Sequence, residues 1–195
     1  MKKLLISLAA LFMITGAANA QVAIRSNLAT LPFGVLTVGT EFAVGQKWTL
    51  GFDLMANLVD PYDFYKMKYG GLLMGEARYY FCEAFNGHHI GLYGMVGYHN
   101  EIQFTNKFLS NVIAYCPEFN PHLPGEADPI EKVRTLWAGL SYGYYIKLGH
   151  GWGLDISVGG GLSVARYRLP GDKTDYDSNL HFGVSRVAID LSYKF

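Results

Sequence analysis

Five carboxylates and three guanidinium groups recur on one side of alternating segments: Glu41, Asp53, Glu76, Asp155 and Asp190 with Arg25, Arg78 and Arg186. Such groups can relay a proton, guide a solute, or neutralise one another in a structural network. Isolated buried charge is costly, so a structural network is the expectation and a proton or solute path its rival. Histidine is the second source of chemistry. His88 and His89 are neighbours in an extended segment, so their side chains point to opposite faces and cannot share an ion. His99 and His181 stand at the outer ends of two segments on opposite walls. A Ser–His–acid hydrolase needs its groups hydrogen-bonded in one place, and no His-x-Ser pair occurs at the outer end of any segment. No catalytic residue, metal ligand or cofactor is assigned.

The chain that must position these groups is 195 residues long, 50% hydrophobic and 15% aromatic, but only 16% charged. A soluble domain carries about 25% charged residues, so there is too little charge here for a large wet surface. Glycine (23) and tyrosine (14) are abundant, which excludes a disordered chain or a helical bundle. Net charge is zero, so nucleic acid is not an expected partner. Met1-Lys2-Lys3, the apolar stretch Leu4–Thr15 and Ala18-Asn19-Ala20 read as a secretory signal peptide over residues 1–20, with the mature domain at 21–195. Cleavage removes Lys2 and Lys3 and leaves 14 basic against 16 acidic residues. No later stretch has 18 consecutive apolar residues, so a transmembrane helix is excluded. Mean hydropathy is nevertheless +0.12. Only helices and closed barrels satisfy their backbone hydrogen bonds in lipid.

Eight alternating runs follow, at 22–30, 34–44, 48–56, 71–82, 88–98, 133–148, 152–168 and 180–195. In the third, Trp48, Leu50, Phe52 and Leu54 oppose Thr49, Gly51 and Asp53. Connections alternate between short (45–47, 83–87, 149–151) and long (57–70, 99–132, 169–179). Aromatic residues collect at the short-turn end of the apolar face: Phe42, Trp48, Tyr79, Phe81, Tyr144, Trp152 and Phe195. The polar face is mostly Gly, Ser and Tyr with mixed-sign charge, unlike a wet exterior. A soluble lipocalin-like barrel would turn the apolar face inward. The pattern instead predicts an all-β, eight-stranded antiparallel up-and-down transmembrane barrel with short periplasmic turns and longer external loops. Its lumen is plugged by side chains.

The last run ends on Tyr193 and Phe195, which resembles the C-terminal assembly signal of bacterial outer-membrane barrels. Gly39–Leu50 (GTEFAVGQKWTL), Phe85–Tyr93 (FNGHHIGLY) and Leu140–Gly161 (LSYGYYIKLGHGWGLDISVGGG) are similar to a family of small barrels from Bacteroidota known as domain of unknown function 3575. The resemblance covers most of the mature chain and rests on strand-and-turn patterns. It implies a surface role, since members are often encoded beside fimbria genes.

The loop at 99–132 carries Phe104, Phe108, Tyr115, Phe119 and His122 as candidate interaction residues, among four prolines and five acids. Loops of this length either bind or remain mobile. Cys82 and Cys116 are the only cysteines. Two in an exported protein suggest a disulfide, but the topology puts Cys82 at the periplasmic end and Cys116 in an external loop, so no bridge is expected. The functional expectation is a non-enzymatic outer-membrane barrel of a Gram-negative cell. Its partners would be outer-membrane lipid, the barrel-assembly machinery and a surface or fimbrial protein. The alternative is an outer-leaflet lipid A deacylase or acyltransferase.

Overall fold

Valine, isoleucine, tyrosine and phenylalanine at every second position favour a pleated, half-covered backbone. In the computed structural model these segments pair into one antiparallel sheet that closes on itself. The structure describes residues 21–57, 65–66, 69–104, 130–169, 171, 173–177 and 180–195. The strands are β1 (Val22–Asn27), β2 (Val35–Ala43), β3 (Trp48–Asn57), β4 (Tyr65–Lys66), β5 (Tyr69–Tyr80), β6 (Gly87–Phe104), β7 (Ile130–Gly149), β8 (Trp152–Arg168), β9 (Tyr176–Asp177) and β10 (His181–Lys194). Eight of them form the barrel in the order β10-β1-β2-β3-β5-β6-β7-β8, and β8 pairs again with β10. The two-residue strands β4 and β9 extend β6 and β8 at the long-loop end. The protein is therefore all-β, with a closed eight-stranded antiparallel barrel. Among the described residues no helix is long and apolar enough to cross a membrane.

The alternation decides which side faces in. Arg25, Glu41, Asp53, Glu76, Arg78, Asp155, Arg186 and Asp190 are all buried in the lumen, whereas Leu92 is 63% exposed and Leu140 68% exposed on the outside. The aromatic residues at the short-turn end stand in ring contact on that outer face. Trp48 meets Tyr79 at 5.1 Å, Tyr79 meets Phe81 at 6.1 Å, and Trp152 meets Tyr193 at 5.1 Å between centroids.

Several boundaries differ from the sequence expectation, each for a local reason. The connection expected over 99–132 narrows to 105–129, because β6 and β7 continue pairing as far as Ile102 opposite Ile130. Phe104 thus lies in β6, opposite Tyr65 of β4. The fifth run also reaches further than 98, and the fourth stops at Tyr80 and leaves Phe81 and Cys82 in the turn. The first run ends at Asn27. There Asn27 Oδ1 accepts the Ala29 amide at 3.0 Å, and a 3-10 turn (Leu31–Phe33) follows, closed by Gly34 at φ 73. The last run contains an irregularity that alternation alone does not reveal. The β8–β10 register slips between Val184 and Arg186, so Val184 and Val187 both face outward around a bulge at Ser185. Lys147 and Lys194, on the same side of their strands as the lumen residues, sit at the rim, where Lys147 pairs with Glu83 and Lys194 lies 5.8 Å from the Phe85 ring.

Candidate functional site

Alternate residues of β1, β2, β3, β5, β8 and β10 point into a lumen of the size that side chains fill in an eight-stranded barrel. Arg25 of β1 donates through Nε and Nη2 to both oxygens of Asp53 and through Nη1 to Glu41, each at 2.7 Å. This bidentate fork suits a guanidinium–carboxylate pair. Arg78 of β5 is fully buried. It donates to Glu76 and Asp155 at 2.7 Å and to Glu41 at 3.0 Å. Arg186 of β10 donates to Asp190 at 3.1 Å and to Met74 Sδ at 3.0 Å, and lies 3.5 Å from Glu76. All eight charged residues singled out in the sequence thus converge on one continuous network.

Neutral donors complete it. Thr49 Oγ1 and the Tyr80 hydroxyl both donate to Glu41 Oε1, at 2.5 Å and 3.0 Å. Ser141 Oγ donates to Glu76 at 2.6 Å. These three stand on the polar face of their runs, so their inward direction was legible but their role as donors to carboxylate was not. His89, which the sequence places only on the face opposite His88, joins the network as a further donor. It is buried, and its Nε2 donates to Asp155 at 2.9 Å. Adjacency to His88 establishes only that the two point apart; the register that places His89 inside comes from Tyr93, two positions further and two again. Gly143 makes the contact feasible, since a Cβ there would lie 2.6 Å from the His89 ring and 2.7 Å from Ser157 Cβ. Likewise, a Cβ on Gly51 would stand 2.6 Å from Arg25 Nη2. Inward glycines are therefore the room into which the long charged chains fold.

The charged layer is closed on both sides. At the short-turn end, Phe85 from the turn 81–86 is only 1% exposed and caps the lumen with Ala23, Tyr80 and Tyr145. Its backbone is left-handed, with φ 62, which turns the ring into the mouth, 5.8 Å from Tyr145. On the long-loop side, Met74, Tyr93 and Met95 pack together against Trp137. The Tyr93 hydroxyl is hydrogen-bonded to Ser185, the bulged residue of β10. Each lumenal carboxylate is thus held by arginine or hydroxyl donors, between aromatic and thioether side chains packed on either side of the charged layer.

The remaining sequence candidates fall elsewhere. Tyr193 and Phe195 lie outside the barrel with ring centroids 5.1 Å apart, and the Phe195 amide donates to Val22 O at 2.9 Å. Phe108, Tyr115, Phe119 and His122 of the proposed interaction loop, and Cys116, lie outside the described residues, as does the segment 1–20. Cys82 is exposed in the turn. In the same turn Lys147 holds the Glu83 carboxyl below its ordinary range by donating a hydrogen bond to it. Among the described residues no three His, Cys, Asp or Glu side chains form a group that could hold a metal ion.

The family model described as "Protein of unknown function (DUF3575)" matches residues 4–195, nearly the whole chain. The chain belongs to the DUF3575 family. No curated protein matches it. For this DUF3575 barrel, the match spans the full set of strands together with the C-terminal Phe195, so family membership and barrel closure describe the same stretch of sequence.

Proposed function

We propose that this protein is a sealed, non-enzymatic barrel of the Gram-negative outer membrane, exported through the signal peptide at 1–20, whose long-loop end displays residues 105–129 to an envelope or fimbrial protein partner. One observation carries the reading: the apolar face is outside and the ion network inside, the reverse of a water-soluble protein. In water, the exposed leucines and valines would form an apolar patch far beyond what a monomer tolerates. In lipid, the same face is the favourable one. The aromatic contacts at the short-turn end then mark the periplasmic interface, as expected of an aromatic girdle. A filled lumen supports a scaffold rather than a pore. The aromatic end of β10, Tyr193 and Phe195, is the segment by which the barrel-assembly machinery would recognise the chain.

The test is a deletion strain complemented with either the full chain or a chain whose residues 105–129 are replaced by a short turn. We expect both barrels in the outer-membrane fraction with unchanged lipid A, and surface cross-links to a protein partner with the full chain alone. A lipid A change that follows a single His or Ser substitution would instead establish the lipid-modifying alternative.

A further inference from the structure

The outer wall carries a groove of about 580 Å³, and the register defines its course. Its lower bank is one hydrogen-bonded row of outward side chains, Trp48, Tyr79, Ile90, Tyr142 and Val158. Its upper bank is the next row, Ala77, Leu92, Leu140, Gly160 and Val184. The floor between them is backbone at Gly91, Ser141 and Gly159, whose side chains are absent or turned inward. Ala77 and Gly160 lower the upper bank near its two ends.

The groove climbs as it goes round. Trp48 is the first residue of β3, and Tyr79 is the next to last of β5, both at the short-turn rim. Val158 is already six residues into β8 from that same rim. Crossing from β3 to β10 spans five interstrand gaps, about 24 Å. With strands tilted by about 40° the rise is about 15 Å, which is half of a hydrocarbon layer of about 30 Å. One end therefore lies at the interface and the other near the bilayer midplane. The interfacial mouth is cationic. Lys47 Nζ sits 6.0 Å from the Tyr79 ring, anchored on Phe81 O at 2.9 Å. Further along the lower bank, three strands from Trp48, His88 shares a 2.6 Å hydrogen bond with the Tyr142 hydroxyl.

We infer that this groove is a binding site for one phospholipid of the periplasmic leaflet, with an acyl chain in the trough between Ala77 and Gly160 and the phosphate at Lys47. The commitment to that leaflet follows from the length and direction of the climb together with the positive mouth. The inference rests on the membrane reading above.

The test is native mass spectrometry of the full chain purified from outer membranes in mild detergent, followed by titration with palmitoyl-oleoyl-phosphatidylglycerol. One retained phospholipid per barrel is expected. Gly160→Leu should weaken binding about tenfold, and Lys47→Gln about fivefold, the effect of one basic residue at an anionic surface. Because Gly160 approaches Gly183 O at 3.2 Å from an added Cβ, Ala77→Leu provides a second filling variant free of that contact. Val38→Leu, on the outer face of β2, should bind as the parent does. Heat-modifiable migration and membrane fractionation of each variant are read alongside. A folded, membrane-located barrel that retains no phospholipid, or equal binding by all four variants, overturns the lipid site and leaves the membrane reading standing. A protein found outside the membrane fraction overturns both. A protein dimer lost in the groove-filling variants assigns the groove to a second copy and overturns the lipid.

Discussion

Arg78 is the residue on which the most lumenal carboxylates depend, with Glu41, Glu76 and Asp155 all within hydrogen-bond reach. Replacing it with methionine keeps the bulk and strands those acids. Breaking a buried pair on one side costs about 3–5 kcal/mol, so Arg78→Met should lower stability by that amount in chemical unfolding from micelles. Adding Glu41→Gln should recover part of the loss, since it removes one uncompensated charge. A midpoint within about 0.5 kcal/mol of the parent would show that the network is not stabilised through Arg78. At this scale the sequence is informative about direction and poor about partners. Alternation identified the eight charged lumen residues, but the bidentate pairing of Arg25 with Asp53 rather than with Glu76 depends on the stagger between strands, which no single strand encodes. In the sequence Phe85 is part of a plain turn, because its inward ring follows from a left-handed backbone at that residue and not from any periodicity.

At the scale of the strand, β7 offers a gradient on one face. Leu140 and Leu148 both point outward, at 68% and 55% exposure, eight residues apart along the same strand. If the wall faces lipid, Leu140→Arg should cost about 2–4 kcal/mol near the midplane, whereas Leu148→Arg at the rim should cost about 0–1 kcal/mol. Refolding titrations into phospholipid vesicles measure both. Equal penalties at the two positions would contradict the depth assignment. β10 gives the second element-level expectation. Deleting Phe195 removes the aromatic end and its amide bond to Val22 O, whereas changing it to Ser removes the ring alone. Assembled barrel should fall far more than synthesis, read as loss of the heat-modifiable band on gels; a normal band would contradict it. Seven of the eight barrel strands followed from alternation, with ends that shift by as much as the six residues from 98 to Phe104 in β6. The exception is β10, where the bulge at Ser185 changes the period from two to three between Val184 and Val187. The motif Val184-Ser185-Arg186-Val187 has two residues in succession that can face a polar interior, so the sequence does not say which one interrupts the pattern. Extra length in β6 and β7 was hidden for a different reason. Their outer ends pair with each other above the aromatic and apolar band, where no alternating hydrophobicity is required.

For the whole molecule, closure and inversion together make the central claim: the barrel crosses a membrane with its short turns on the periplasmic side. The two cysteines report on it directly. Cys82 is exposed in the turn after β5, at the short-turn end, and Cys116 belongs to the connection between β6 and β7 at the opposite end. A layer of about 30 Å would separate them, far beyond the Cα separation of about 7 Å that a disulfide permits. The decisive measurement is labelling of the two thiols in intact cells with a membrane-impermeant maleimide, followed by peptide mapping before and after permeabilisation of the outer membrane. The account predicts label on Cys116 in intact cells and on Cys82 only once the outer membrane is opened. Label on both thiols in intact cells, or an intramolecular Cys82–Cys116 bridge, would contradict a membrane-spanning barrel.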